Sequence, residues 1–100
     1  MNMLNSFIIE GIVMENASND TALHTKFNIK HTVVREINGE NSEEENIFPV
    51  VVYGKTAQFA ASKAVKDRTV RIVGRIRVVD DKKWFVVAEH IQYMPLNTNK

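Results

Sequence analysis

Apolar and polar residues alternate along most of this chain. The alternation stops where Gly, Pro or clusters of Asn, Asp and Ser fall. Met3 to Val13 is apolar and β-branched, with Glu10 and Gly11 inside it, and predicts a strand bent or bulged at the glycine. Asn16 to Asp20 is a turn cluster. A second strand is expected from about Leu23. It places Phe27, Ile29 and His31 on one face and Lys26, Asn28, Lys30 and Thr32 on the other. The pattern breaks at Val33-Val34, which predicts a bulge or a strong coil in the strand. Asn38-Gly39 is a hairpin signal, and the polar run Glu40 to Asn46 extends the expected connection into a flexible loop over residues 38–46.

Ile47 to Tyr53 reads as a third, buried strand, with Pro49 pointing to an edge position or a bulge. Ile47, Pro49, Val51 and Tyr53 share one face, and Phe48, Val50 and Val52 the other. After Gly54, the alanine-rich segment Lys55 to Val65 predicts a helix whose apolar face is Ala57, Ala60, Ala61 and Ala64, with Phe59 nearby. Thr69 to Val79 is the cleanest strand. Val70, Ile72, Gly74 and Ile76 point one way, and Arg71, Val73, Arg75 and Arg77 the other. Asp80 to Lys83 is a charged turn, and Trp84 to Tyr93 is the last strand before Pro95. Five short strands with one helix between the third and fourth are the layout of an all-β OB-fold, a partly open five-stranded barrel. The expectation is a single domain over residues 1–100. Its core spans about 3–95, and 96–100 form a short tail.

Composition narrows the chemistry. The chain has no cysteine, which excludes disulfides, thiolate metal sites and cysteine nucleophiles and fits a reducing cytoplasm. Met1-Asn2-Met3-Leu4 lacks the basic lead of a signal peptide, and no apolar run approaches a membrane span, so a cytoplasmic protein without membrane contact is expected. His24, His31 and His90 have neither a helical metal-pair spacing nor a nucleophile-elbow context. Glu43-Glu44-Glu45 falls on the expected loop, and the four glycines are scattered. No catalytic residue, metal site or cofactor is therefore expected.

The net charge of +1 hides an asymmetry. Residues 1–46 carry three basic and eight acidic side chains, whereas residues 47–100 carry ten basic and four acidic. Such a split points to a directional surface. Arg71, Arg75 and Arg77 share one strand face. Strand positions four apart are ~13 Å from one another, close to two phosphate spacings of a single strand. The competing expectation is pairing with Glu36, Asp80 or Glu89. Tyr53, next to Gly54-Lys55, can offer a flat face to a base with a cation beside it. Trp84, which follows Lys82-Lys83, can stack on a base or cap the barrel. A core this small favours self-association.

Val50-Val51-Val52-Tyr53-Gly54-Lys55, the alanine-rich helix and Val70-Arg71-Ile72-Val73-Gly74-Arg75-Ile76 resemble, in order and spacing, the bacterial single-stranded DNA-binding protein family. Leu4 to Gly11 resembles that family's first strand and Phe27-Asn28-Ile29 its second. The likeness covers roughly residues 3–95. The primosomal replication protein of PriB type is a second resemblance, carried by Phe27 to His31, Pro49 to Gly54 and Ala88 to Ile91.

The resemblance implies binding of single-stranded DNA, largely without sequence preference, in replication, recombination or repair. It also implies a nucleoid-associated homodimer or homotetramer. The alternative is a primosomal protein-interaction module with weaker nucleic-acid binding and with replication or primosome proteins as partners. The expected contacts are Tyr53, Lys55, Arg71, Arg75, Arg77, Trp84, Lys30, Arg35, Lys82 and Lys83. Three departures stand out. Ile47 occupies a stacking position, no aromatic lies near Arg35 or Asp81, and Asp67 replaces the glycine after the helix. The acidic tip of the tailed family has no counterpart in Asn97 to Lys100.

Overall fold

The computed structural model describes residues 3–21 and 24–95. The expected tail and the expected start of the second strand at Leu23 lie outside them. The elements are β1 (Phe7–Val13), β2 (Ser18–Thr21), β3 (His24–Ile37), β4 (Glu40–Tyr53), α1 (Lys55–Lys63), β5 (Thr69–Asp80) and β6 (Lys83–Tyr93). The pairing circuit β1–β5–β6–β4–β3–β1 closes a five-stranded barrel, and β2 adds to the outer edge of β3. The fold is the expected OB-type barrel with its one helix after the third barrel strand. The short β2 replaces part of the expected turn cluster, because Ser18 and Asn19 pair with Lys26 and Thr25.

Two strand pairings make the closure. β1 runs antiparallel to β5 from Phe7↔Gly74 to Ile12↔Thr69, then passes to β3 at Ile12↔Lys30 and Val13↔Ile29. β4 meets β6 in a short parallel contact, Val50↔Val86 and Val51↔Val87. The β1–β5 register is unbroken through Gly11, so the expected bulge there is absent. The glycine is needed for close approach instead: a Cβ would sit 3.0 Å from the Lys30 carbonyl oxygen where β1 changes partner. The bulge lies on β6, where Val73 faces His90 but Gly74 faces Ala88, leaving Glu89 extra. Pro49 stands one residue before the two-residue contact with β6, which fits its expected place at an edge.

The expected bulge at Val33-Val34 is also absent. β3 and β4 pair without a register shift from His24↔Tyr53 to Ile37↔Glu40. The connection placed over 38–46 is thereby corrected to two residues. Asn38 (φ 55°) and Gly39 (φ 81°) both adopt positive φ, as a tight hairpin turn with the twist of its strands requires. Glu40 to Asn46 belong to β4, because the polar side chains of a two-stranded ribbon can face water on both sides while its backbone stays paired.

The core follows the alternation. Ile9, Val13, Phe27, Ile29, Val50, Val52, Val70, Ile72 and Val86 fill the barrel, and Ala57, Ala60 and Ala64 plug its lower end. Small alanines let the helix sit close to the strands. Thr25, fully buried, donates its hydroxyl to the Ala57 carbonyl at 2.6 Å, tying β3 to α1. Ala61 is only half-buried, and Phe59 is exposed and rests edge-on against Tyr93 at 5.8 Å. Asp67 takes φ 73° and donates its backbone N–H to the Val13 carbonyl at 2.8 Å. The position thus demands a left-handed residue, which explains a glycine there and why an aspartate, which tolerates that region, can stand in.

At the same end Arg68 reaches over the Tyr93 ring and donates to the Met94 carbonyl at 2.8 Å. Burial pushes the Tyr93 phenol up to about 12, against a smaller opposing pull from Arg68. The fold favours the neutral phenol. Its contribution to stability is therefore complete below the unfolded value near 10 and is lost as pH rises through about 12. Thermal melts across pH 9–12 should show a loss of Tm that is smaller in Tyr93→Phe; equal losses would contradict this account.

A Cβ on Gly74 would collide with the Val87 carbonyl oxygen. That obstacle is backbone and cannot swing away, so Gly74→Ala is expected to cost about 3 kcal/mol or more in urea unfolding. A loss below ~1 kcal/mol would mean that the β5–β6 contact is looser than described.

Candidate nucleic-acid interface

Side chains directly opposite in neighbouring strands share a face. On the outside of the barrel this rule lines up Arg77 with Phe85, and Arg75 with Val87. It also lines up Val51 with Lys26, Pro49 with Asn28, Ile47 with Lys30, and Tyr53 with His24. Residues Ile47, Pro49, Val51 and Tyr53 are thus the outer set of β4, and Phe48, Val50 and Val52 the inner set. Val51 and Val87 point outward yet are almost fully covered by their neighbours, giving this face an apolar floor.

A groove of about 530 Å³ runs across β3, β4 and the start of β6. Tyr53 and Trp84 line it, both about two-fifths to half exposed, together with Pro49, Val51 and Phe85. Its ionisable lining residues are Lys26, Lys83, His24 and a single carboxylate, Glu15, which accepts a hydrogen bond from the Asn28 amide at 3.2 Å. The His24 ring lies on the Tyr53 ring with centroids 5.0 Å apart and planes 15° from parallel. Trp84 meets Phe48 edge-on at 5.9 Å, and Phe48 meets Phe7 at 5.6 Å. It therefore caps the barrel mouth while keeping an open surface in the groove. An apolar floor with flat rings and flanking cations can hold a planar, anionic, extended ligand. Among the described residues no group of three or more His, Asp or Glu side chains is placed to hold a metal ion. No described helix is long and apolar enough to cross a membrane.

Of the residues picked from the sequence, the groove brings together Tyr53, Lys83 and Trp84. Arg75 and Arg77 stand on the same outer face at its β5 edge. Arg71 lies further along that edge beside β1, Lys30 lies further along the outer face of the β3–β4 ribbon, and Lys82 is in the β5–β6 turn. Lys55 opens α1, two residues beyond Tyr53. Arg35 alternates onto the opposite face of the ribbon from Lys30.

The three strand arginines do not act as one free row. Arg71 pairs with Glu10 at 3.6 Å and Arg75 with Glu89 at 3.5 Å, whereas Arg77 makes no ion pair among the described residues. Glu89 was an expected partner; Glu10 was not, because only strand order puts β1 beside β5. Lys30 pairs with Glu45 at 3.7 Å and Arg35 with Glu44 at 3.0 Å. Hydrogen bonds from Asn46 and then Arg35 hold the Glu44 carboxyl below its ordinary value. These pairs are half exposed and so contribute little stability individually, and an incoming anion can displace them cheaply. His24, Lys26 and Phe85 were not picked from the sequence. The alternation that put Lys26 on the outer face was the available signal for it; nothing local marks His24.

The family model described as "Single-strand binding protein family" matches residues 4–91. No curated protein matches the chain. Among solved structures, "Plasmodium falciparum SSB complex with ssDNA" aligns with a TM-score of 0.78 at 13% identity, covering 95% of this chain and 98% of that one. The small single-stranded DNA-binding protein from Streptomyces coelicolor gives 0.73 at 19% identity, with 93% and 96% covered. A deletion mutant of the single-stranded DNA binding protein from Thermus aquaticus gives 0.75 at 17%, with 92% of this chain and 51% of that chain covered.

Proposed function

We propose, from the premise that this chain belongs to the single-strand binding protein family, that its groove binds single-stranded DNA without reading sequence. Binding is its whole activity; no bond is made or broken. The observation that carries this reading is the groove itself, where Tyr53 and Trp84 stand over an apolar floor between Lys26 and Lys83. Bases stack on rings or lie against Val51, Pro49 and Phe85. Phosphates follow the lysines and, at the β5 edge, Arg77 and Arg75. Every base has a flat face, so such a surface is tolerant of sequence. The Plasmodium falciparum structure with ssDNA supports the choice of ligand.

Few exposed aromatics mean that much of the affinity is electrostatic. A small core without disulfides and membership of the family favour a homodimer or homotetramer, and a cytoplasmic role in replication, recombination or repair follows from the ligand. The direct test is titration with oligo-dT followed by the fluorescence of Trp84, the only tryptophan. Quenching at low salt is expected; no quenching and no mobility shift would end the proposal.

Two variants locate the site. Tyr53→Ala is expected to weaken oligo-dT binding at least fivefold, as loss of one base–aromatic stack of ~1–3 kcal/mol requires. Lys83→Gln should lower the slope of log affinity against log salt by ~0.7, the value for one phosphate contact on a single strand. Arg35→Gln, on the other ribbon face and already paired with Glu44, should leave that slope unchanged. The reverse pattern would move the DNA path onto the ribbon's opposite face.

A further inference from the structure

His24 covers one face of the residue best placed to stack on a base. We propose that His24 is itself a DNA-contacting residue: with Tyr53 it forms a two-ring platform, and its imidazolium, when formed, adds a phosphate contact that makes the affinity depend on pH. This rests on the reading of the groove as a single-strand site.

The geometry supports it in three ways. The rings are nearly parallel, 15° apart at 5.0 Å, so the pair forms a short stack that offers an outer ring face at each end. The two residues are register partners at the end of the β3–β4 pairing, so backbone pairing holds the rings together before any ligand arrives. Both line the groove, as do Lys26 and Lys83.

The charged groups around His24 come from every neighbouring element. Lys26 is two residues on along β3, and Lys83 is on β6. Lys55 follows Tyr53 at the start of α1, and Glu15 lies on the β1–β2 connection. On β2 its register partner is Thr21. Three of these are lysines, and a phosphate brought in among them favours the charged imidazole, so the histidine takes up a proton as DNA binds. Histidine is the side chain whose ordinary pKa lets it do this near neutral pH. By linkage, affinity should rise as pH falls from 8 to 5.5. The salt slope at pH 5.5 should exceed that at pH 8 by up to ~0.7.

The experiment is oligo-dT binding to the intact protein at pH 5.5 and pH 8, each over a salt series, for wild type, His24→Phe and His24→Ala. His31 and His90 remain in all three and serve as the internal background. Wild type is expected to bind at least threefold tighter at pH 5.5. His24→Phe keeps the two-ring platform, so at pH 8 it should bind more tightly than His24→Ala, and it should lose the gain and the slope difference at pH 5.5. His24→Ala should lose both and bind several-fold more weakly at pH 8. Circular dichroism melts confirm that each variant is folded. If wild type binds DNA and His24→Phe shows the same pH and salt response, the inference is wrong and the groove reading stands. If wild type binds no DNA at either pH, the groove reading fails first.

Discussion

Closure of the barrel depends on β1 serving two neighbours. Its first six residues complete the sheet with β5, and its last two complete it with β3. A strand can do this only if it coils sharply and another backbone can come close at the crossing. Gly11 supplies that proximity against the Lys30 carbonyl, and on the neighbouring strand β5 Gly74 supplies it against Val87 of β6. Once the circuit is closed, every barrel strand is paired on both sides over part of its length, and the Val, Ile and Phe side chains have an interior to fill. A chain of 100 residues without disulfides has few other ways to stabilise a core.

The site is a consequence of that closure. The short parallel contact of β4 with β6 brings Val51 beside Val87 and sets Tyr53 and Trp84 on the same groove. Neither ring is where it is because of its sequence neighbours. Tyr53 stands at the end of β4, while Trp84 sits at the barrel mouth, held edge-on by Phe48. The β3–β4 ribbon beyond the barrel carries most of the chain's glutamates, two of them paired with Lys30 and Arg35. Its charge turns an extended anion away from the ribbon tip and towards the lysines of the groove. In the proposed mode of binding, affinity rests on a compact set of contacts, and at the β5 edge Arg71 and Arg75, unlike Arg77, must exchange a carboxylate for a phosphate before they contribute.

Period-2 alternation was enough to place the five barrel strands and to sort the two faces of each, because a side chain's face on a strand is a local property; the helix was legible from its alanines. Alternation also put Lys26 on one face of its strand and Pro49, Val51 and Tyr53 on one face of theirs; only the pairing of β3 with β4 made these one surface. It failed at Glu40 to Asn46, where a fully polar run looks like a loop but is a paired ribbon. At Gly11 it left a bend or a bulge open and at Val33-Val34 a bulge or a strong coil, and the continuous registers exclude the bulge in both. Pattern alone does not distinguish a glycine that bends a strand from one that admits a neighbouring backbone.

The sequence by itself determined the barrel class, the alanine face of the helix, the hairpin reversal at Asn38-Gly39 (though not its tightness) and the outward direction of the basic side chains. Each of these follows from a residue's own geometry or from its neighbours along the chain. Only the tertiary structure decided which outward residues form a site. Pairing across strands joined His24 to Tyr53 and Lys26 to Val51, brought Trp84 into the same groove, and set Glu10 against Arg71. Those partners lie up to some sixty residues apart, and only the closed register brings them together.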